Sequence, residues 1–498
     1  MNRVRHLLLL ALLGLITACS LNELPENLSL LPIEEDGLVL KVETRAETYK
    51  GQSLDQEHFV TAEDLENFVK YRRSASKRSD LTGREVKSYG FDTSQTLFYI
   101  LNYDQGWEVV SADKRVQPTL AHGDSGEFTM DCDNEAMKFW MNMLADGVLQ
   151  MRLGNVEKKS EEATASTESK DASAESTSDH TAFWDAISPT HNSPTRFEPL
   201  TPTPGPVEQD FYLYVVDKEE SVQTTAYGPY LQTKWAQGAP WNKYCPLETN
   251  GSGEKSPAGC TAVAGAQLLY YLAQSLDYDI YAPRIATCEG NINGFNREFL
   301  DFTYDAWDYM AIEFYDPEAN RSTSASAALI AYVGSLCNMD YGNDSSDASP
   351  GDLMDSIEEL YGISSTMSDL WSYSSDVIIE NLMNELPVFI WGAETIFGGG
   401  HSWLIEGYEI TTTITTTYYK KSTIPLLEWY VNTLDRDDAD HSITNWYTTK
   451  TFHMNWGWGG VYDGEYSLLP ENWSVSGEDG LITYDVVMRM YYEFSQDN

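Results

Sequence analysis

A low-complexity stretch near the middle of the chain divides its 498 residues into two parts. Residues Glu157–His180 (EKKSEEATASTESKDASAESTSDH) are almost entirely small, polar or charged, and a proline-rich segment, PLTPTPGP, follows at Pro199–Pro206. Such sequences bury too little apolar surface to offset the entropy lost on folding, so they stay extended or disordered. We therefore predict a disordered linker over residues 154–209, between two regions that fold separately.

The charge balance of the chain excludes one class of partner. The sequence carries 77 Asp and Glu side chains against 32 Lys and Arg, a formal net charge of −45. This field repels nucleic acid and anionic membrane surfaces, so we expect no nucleic-acid partner. The cysteines form no CxxC pair and no Cys/His cluster with zinc spacing. The thiol chemistry predicted below needs neither a metal nor a cofactor.

The first twenty residues, MNRVRHLLLLALLGLITACS, have the organisation of an export signal. Arg3 and Arg5 precede an apolar run that is too short to span a membrane comfortably. The ending LITAC resembles a bacterial lipobox, which implies cleavage before Cys19 and diacylation of that residue. A plain secretory signal is the alternative. We therefore expect a lipoprotein of the bacterial cell envelope, in the outer membrane.

The two regions differ in their predicted secondary structure. In the first, residues 95–115 are predicted to form two strands around a turn at Asp104–Gly106, and residues 136–151 have helical spacing. The second region begins with predicted helices around Cys260 and at 325–337 and 352–361, and continues with predicted strands at 387–393, 401–410, 428–434 and 451–458. Helices followed by strands predict an α+β domain with a cleft between its two halves.

Cys260 follows a small-residue turn and precedes a long apolar stretch, in PAGCTAVAGAQLLYYL. Apolar residues at intervals of three and four predict a helix there, with Cys260 in its first turn. The amides and the positive dipole end of a helix start lower the pKa of a thiol and favour the nucleophilic thiolate. Packing in a core is the alternative, since free cysteine is often buried. Of the six cysteines, five remain besides Cys19, an odd number that leaves at least one thiol unpaired.

A catalytic cysteine needs a base, and His401 is the best placed histidine. It follows three glycines at a predicted strand start, FGGGHSW, where it can face a cleft. Asn455 can accept a hydrogen bond from an imidazole and fix its orientation, while Trp456 screens that bond from water. His453, two residues before Asn455, is the second candidate for the base.

The order of these residues along the chain is the papain-type arrangement. His401 follows Cys260 by 141 residues, and Asn455 follows His401 by 54. Upstream, Gln237 can donate, together with the Cys260 backbone amide, to a developing oxyanion. Four elements in this order favour a catalytic role for Cys260 over a packing role.

The stretches that carry these residues are LQTKWAQGAPWNKYCP, AGCTAVAGAQLLYYL, MDYG, PVFIWGAETIFGGGHSWLIEGYE and NWGWGG. Together they resemble the streptopain family of papain-like cysteine peptidases. The earlier stretch GWEVVSADKRVQPTLAHGDSGEF resembles the inhibitory propeptide of that family. The resemblance implies a two-lobed papain-like peptidase domain, one lobe helical and one an antiparallel sheet, preceded by a small α+β propeptide domain.

The resemblance also implies roles for single residues. Cys260 would be the nucleophile, His401 the proton acceptor and Gln237 an oxyanion donor. The remaining residues it implies are the supporting pair Asn455 and Trp456 and the substrate contacts Gly400 and Asp347. An acidic residue at position 347 would favour basic substrate side chains.

Four segments and one function are therefore predicted. The segments are a signal peptide over 1–18, a lipid-anchored propeptide domain over 19–153, the linker over 154–209 and a cysteine peptidase domain over 210–498. We predict a secreted or surface endopeptidase made as a zymogen, with proteins or peptides as substrates and its own propeptide as intramolecular inhibitor. The alternative is a catalytically idle surface lipoprotein that uses the same fold to bind peptides or host proteins.

Proteolysis in the linker would activate such a zymogen. Exposed, small and polar segments are preferred sites of cleavage, and the linker and its border offer Lys158, Lys170, Arg196 and Lys218. Because Cys19 lies on the propeptide side of the linker, one cut would remove the inhibitor and release the enzyme from the membrane.

Overall fold

The structure is a computed structural model. It describes residues 34–35, 54–75, 85–90, 96–154, 156–158, 180–188, 195–197, 211–280, 285–289, 296–300, 307, 310–313, 320–369, 375–393, 400–468, 473–475 and 487–496. The predicted signal peptide, the lipidation site at Cys19 and most of the predicted linker lie outside these residues. Among the helices that the structure describes, none is long and apolar enough to span a membrane.

Helices occur in both predicted regions. They are α1 (Ala62–Ala75), α2 (Glu135–Arg152), α3 (Thr181–Ile187), α4 (Cys260–Ser275), α5 (Asn320–Leu336), α6 (Pro350–Tyr361), α7 (Ser375–Met383) and α8 (Glu428–Val431). The predicted helices at 136–151, after Cys260, and at 325–337 and 352–361 correspond to α2, α4, α5 and α6.

Strands also occur in both regions. They are β1 (Glu34–Glu35), β2 (Glu85–Gly90), β3 (Thr96–Asn102), β4 (Trp107–Ser111), β5 (Thr119–Gly123), β6 (Val156–Lys158), β7 (Thr195–Phe197), β8 (Phe211–Tyr227), β9 (Ile285–Glu289), β10 (Asn296–Leu300), β11 (Asp340–Tyr341), β12 (Ser346–Asp347), β13 (Ile363–Asp369), β14 (Val388–Ala393), β15 (Gly400–Ser422), β16 (His441–Asn455), β17 (Gly464–Tyr466), β18 (Trp473–Val475) and β19 (Val487–Gln496). The predicted turn at Asp104–Gly106 joins β3 to β4, which pair antiparallel.

One large sheet connects the two regions. Its order is β1-β2-β3-β4-β5-β17-β16-β15-β14-β19-β13, so the first five strands come from the N-terminal region and the rest from the C-terminal region. The junction is the antiparallel pair β5–β17, in which His122 lies opposite Glu465 and Ala121 opposite Tyr466. The amide of Ser467 extends this pairing by donating to Leu120 O at 2.7 Å.

The helices pack on the sheet as a second layer, in which the C-terminal region and the N-terminal region supply different helices. Helix α4 packs on α5 and on β15, and its core includes the fully buried Leu268 and Leu329. Helix α2 packs on β15 from the N-terminal side, and the ring of Trp140 lies 6.0 Å from that of Trp403. The C-terminal region is thus α+β, with a helical part and an antiparallel sheet part, as predicted.

Three long strands extend the sheet into an arm. Tyr408–Ser422 of β15 pairs along its whole length with β8, and Ile410–Tyr419 pairs with β16. We call residues 211–227, 408–422 and 441–452 the arm. The threonine-rich stretch Thr411–Lys421 is therefore the middle strand of the arm, where β-branched side chains fit the pleated surface.

Two sequence predictions are wrong in part. Residues 428–434 were expected as a strand, but Glu428–Val431 form helix α8 at the tip of the arm, where Trp429 is 68% exposed. The chain turns back beyond Ser422, so these apolar residues have no strand to pair with. The predicted linker also contains α3, whose Phe183 and Trp184 are buried, because these two rings supply the apolar surface that the rest of the linker lacks.

Candidate active site

Cys260 is the first residue of α4, as the sequence predicts. The helix begins after Gly259, whose φ of 88° lies in the region that favours glycine. A Cβ atom at Gly259 would lie 2.5 Å from Met339 Cε and 3.1 Å from Ser346 O, too close for any other residue. The glycine therefore places the thiol at the helix start, against the short strand β12 that carries Ser346.

His401 lies at the start of β15, opposite Gly392 of β14. Its neighbours on both sides contact the first turn of α4. The Cys260 thiol donates to Gly400 O, with Sγ and O 3.7 Å apart, and the hydroxyl groups of Thr261 and Ser402 are 2.9 Å apart. The helix start and the strand start are thus held together around the cysteine and the histidine.

Gly400 has a steric reason to be glycine. A Cβ atom there would lie 2.3 Å from Trp391 Nε1, so a larger residue would push the strand start away from the neighbouring strand.

Gln237 is held by its backbone, because the Ala258 amide donates to Gln237 O at 2.8 Å. This bond fixes the Gln237 loop to the segment that leads into Cys260.

One cleft brings six of the seven predicted catalytic and substrate residues together. Those that line it are Gln237, Cys260, Asp347, Gly400, His401 and Trp456. The N-terminal region lines the same cleft with Asp133, Asn134, Glu135 and Ala136. These four residues lie at the start of α2, where the Asn134 side chain caps the helix by accepting from the Met137 amide at 3.0 Å. The start of α2 therefore occupies the space beside the candidate nucleophile.

Asn455 lies behind the cleft in a buried network. Its Oδ1 accepts hydrogen bonds from Gln267 Nε2 at 3.0 Å and from the Gly457 amide at 3.1 Å. Its Nδ2 donates to Thr233 O at 3.1 Å, and the Thr233 hydroxyl donates to Gln267 Oε1 at 2.8 Å. Because Gln267 belongs to α4, Asn455 joins the sheet to the helix that carries Cys260. Gln267 and Thr233 carry no sequence signal that would have identified them.

Trp456 has one face towards the cleft and is otherwise enclosed by aromatic rings. It is 1% exposed, and its ring lies 5.4 Å from that of Trp403 and 5.0 Å from that of Tyr466. Its Nε1 donates to Tyr462 O at 3.0 Å. Trp456 thus forms a rigid apolar wall. This agrees with the predicted role of screening a hydrogen bond from water, and that role stays a prediction.

The surroundings of Cys260 favour the neutral form of its thiol. Burial raises the pKa of Cys260 above its ordinary value, and the Asp347 carboxylate raises it further. The Ser402 and Thr261 amides oppose this effect. A higher pKa favours the neutral thiol, which is a weaker nucleophile than the thiolate.

His453, the second candidate base, faces a different group of residues. Its Nδ1 lies 3.1 Å from Glu465 Oε1 and its Nε2 lies 3.9 Å from Glu406 Oε1. Burial alone would lower the pKa of His453, but the hydrogen bond to Glu465 and the charges of Glu406 and Glu465 raise it to about 9. A histidine that is protonated at neutral pH cannot accept a proton, so the arrangement favours His401 as the base.

Among the described residues, Cys132, Cys245, Cys260 and Cys337 form no disulfide bond. Of these, Cys245 and Cys337 are buried in the helical core. This agrees with the expectation that at least one cysteine is unpaired. Cys260 is the one that lies in the cleft.

Comparison with protein families matches both regions. Residues 235–466 match the model of the peptidase C10 family. The peptidase region thus matches the family of streptopain. Residues 59–148 match the model of the Spi protease inhibitor, so the N-terminal region corresponds to the inhibitory propeptide. The sequence prediction of family and fold is confirmed.

Individual relatives are more distant. Streptopain of Streptococcus pyogenes, and that of its serotype M1, are 24% identical to the chain over 264 residues, which are 49% of this chain and 55% of the relative. The chain thus spans just over half the length of these curated relatives.

Two solved structures from Prevotella intermedia are similar. A prointerpain A fragment is 17% identical, with 80% of this chain and 96% of that one covered and a TM-score of 0.46. Active wild-type interpain A is 19% identical, with 53% and 94% covered and a TM-score of 0.34.

Proposed function

We propose that this chain is the zymogen of a cysteine endopeptidase that hydrolyses peptide bonds in proteins or peptides. The observation that carries the proposal is the shared cleft, in which Cys260 and His401 lie beside Asp133 and Asn134 of the propeptide. The first pair supplies a nucleophile and a base, and the second pair fills the place that a substrate needs. The arrangement is a complete site that is closed by its own chain.

The chemistry starts when the propeptide leaves. Water and substrate then reach the cleft, and His401 takes the proton of the Cys260 thiol. The thiolate attacks the scissile carbonyl carbon, and the oxyanion is held by the Gln237 side chain and the Cys260 amide. The tetrahedral intermediate collapses, and His401 protonates the leaving amine. Water deprotonated by His401 then attacks the thioester, which releases the acid and restores the thiol.

The propeptide is held by contacts with residues 462–467 of the peptidase region. Strand β5 pairs with β17, and Trp140 Nε1 donates to Ser467 O at 3.1 Å. Phe128 of the propeptide packs against Tyr462, with ring centroids 5.6 Å apart. These contacts hold the start of α2 in the cleft, which supports intramolecular inhibition.

Attachment to the cell envelope belongs to the same proposal and is supported by the lipobox-like LITAC ending at Cys19.

The structure changes the expectation for the predicted cleavage sites that would release the enzyme. Lys158, Arg196 and Lys218 lie in strands, opposite Trp473, Tyr212 and Thr417. A paired strand is a poor protease substrate, so these three positions are protected in the folded chain. Lys170 lies outside the described residues.

The test is labelling of the purified full-length chain by a thiol-alkylating active-site probe, before and after processing. Processed chain should be labelled at Cys260 and should hydrolyse casein, whereas the intact chain should do neither. Cys132→Ser is the matched control, because it removes a propeptide thiol and should leave labelling and turnover of the processed enzyme unchanged. A processed chain that binds casein but neither hydrolyses it nor reacts at Cys260 would instead be the idle surface lipoprotein.

A further inference from the structure

Helix α3 lies within the predicted linker but packs on the propeptide. Phe183 and Trp184 are 2% and 1% exposed, and they belong to one apolar cluster with residues of α1 and the propeptide sheet. The His180 amide, just before the helix, donates to Arg115 O of the propeptide at 3.4 Å. The helix lies outside both matched segments, which end at 148 and begin at 235.

Aromatic rings join α3 to two different parts of the chain. The Phe183 ring lies 6.1 Å from Phe68 and 5.4 Å from Tyr71, both on α1 of the propeptide. It also lies 4.9 Å from Tyr447, on the arm of the peptidase region, in an edge-to-face arrangement. Edge-to-face pairs at these distances are attractive beyond the area that they bury.

Polar contacts reinforce the same junction. The hydroxyl oxygens of Tyr71 and Tyr447 are 3.1 Å apart. Nearby, the Gln117 side chain forms two hydrogen bonds with the backbone of Lys450, donating to its carbonyl at 3.2 Å and accepting from its amide at 3.1 Å. The arm thus contacts the propeptide through buried rings and through a side-chain amide that pairs with a strand backbone. Tyr447 and Lys450 do not line the catalytic cleft.

We infer that the arm face around Tyr447 is a second docking surface for the inhibitor, and that its partner is α3 together with α1. The inhibitory unit of this chain then extends beyond the matched inhibitor segment to include residues 180–187. The effect on activation rests on the proposed function, whereas the docking itself does not. Two separated contacts hold a propeptide longer than one, because each keeps the other at high effective concentration.

The docking is tested first without activity, in the full-length Cys260→Ala chain, by hydrogen exchange. Tyr447→Ala should accelerate exchange of the α3 amides at least tenfold and leave exchange of the α2 amides unchanged. Trp429→Ala is the matched control, because it removes an exposed aromatic ring of α8, at the tip of the arm. Unchanged exchange of α3 in Tyr447→Ala would overturn the docking surface.

A double-mutant cycle isolates the direct contact. Tyr71→Phe and Tyr447→Phe each remove one hydroxyl group and keep the ring, so both variants should fold. Their effects on α3 exchange should be non-additive, with the double variant close to either single one. Fully additive effects would mean that the two hydroxyl groups do not interact, and would count against the inference.

The consequence for activation is measured in the chain that retains Cys260. Tyr447→Ala should shorten the half-time of propeptide removal at least tenfold, while kcat/KM of the processed enzyme on a short peptide stays within twofold of the unmodified value. A parallel loss of kcat/KM would mean that Tyr447 supports the peptidase fold itself, and would overturn the inference. If the unmodified chain shows no peptidase activity, the proposed function fails, but the exchange result still decides the docking.

Discussion

Glu465 of the peptidase region lies directly opposite His122 of the propeptide, where β17 pairs with β5. On its other side, Glu465 bonds to His453 of β16. The same carboxylate is therefore placed between an internal histidine of the peptidase and the strand of its inhibitor. Charge at this junction affects both the stability of the sheet and its pairing with the propeptide.

Stability should fall as pH rises through the alkaline range. The folded-state pKa of His453, about 9, is above its ordinary value of 6.5. A raised pKa contributes stability that is fully present below pH 6.5 and is lost as pH rises through 9. At 1.36 kcal/mol per pKa unit, the free energy of unfolding should fall by up to about 3 kcal/mol across this range. Urea unfolding of the Cys260→Ala chain at several pH values measures this loss.

His453→Gln should flatten the pH dependence of the free energy of unfolding between pH 6.5 and 9. The matched control is His441→Gln, since His441 is exposed on the arm and should leave the profile unchanged. Burial raises the pKa of Glu406 from 4.5 to about 7. The free energy of unfolding should therefore also fall as pH rises from 4.5 to 7. A His453→Gln chain with the profile of the unmodified protein would contradict this assignment.

Cys260→Ala should abolish hydrolysis of casein while the protein still folds. The contacts of the thiol, such as its bond to Gly400 O, are weak, so stability should change by less than about 1 kcal/mol. Casein turnover and the urea midpoint are the two measurements. Wild-type turnover in the alanine variant would remove Cys260 from the mechanism.

Gln237→Ala should lower kcat about a hundredfold, the usual loss for one oxyanion donor. KM should change far less, because the donor acts on charge that develops in the transition state. Steady-state kinetics of the processed enzyme separate the two constants. A rise in KM with kcat unchanged would show that Gln237 binds substrate instead.

Asn455→Ala should destabilise the fold more than it impairs chemistry. It leaves the buried Gln267 Nε2 and Gly457 amide without their acceptor, which costs about 1–3 kcal/mol for each unsatisfied group. The loss of kcat should be smaller than for His401→Ala. Equal losses of kcat in the two variants, with normal stability for Asn455→Ala, would support a direct catalytic role.

Local sequence patterns predict the elements that carry the site. The apolar spacing after Gly259 places the start of α4 at Cys260, and the glycines before His401 place the start of β15. Each of these two predictions depends only on residues that are close together in the sequence. The cleft then follows from the order of elements, and six predicted residues line it.

Contacts between distant segments could not be predicted in this way. Asn455 bonds to Gln267, 188 residues earlier, and Phe183 is buried only because Tyr447 and Phe68 pack against it. Asn134 is an ordinary helix cap in the sequence, and only the packing of α2 on the sheet brings it to the cleft. Short apolar pairs in polar surroundings, such as Phe183–Trp184, have no periodicity from which a helix can be recognised.

Strand β17 becomes an edge strand once β5 departs with the propeptide. Its backbone groups at Glu465 and Tyr466, now paired with the inhibitor, would then be open to pairing with another chain. Its length of three residues limits how far such pairing can extend, but the adjoining Trp140 contact would be lost as well. The propeptide therefore also covers a strand edge that would otherwise be open to self-association.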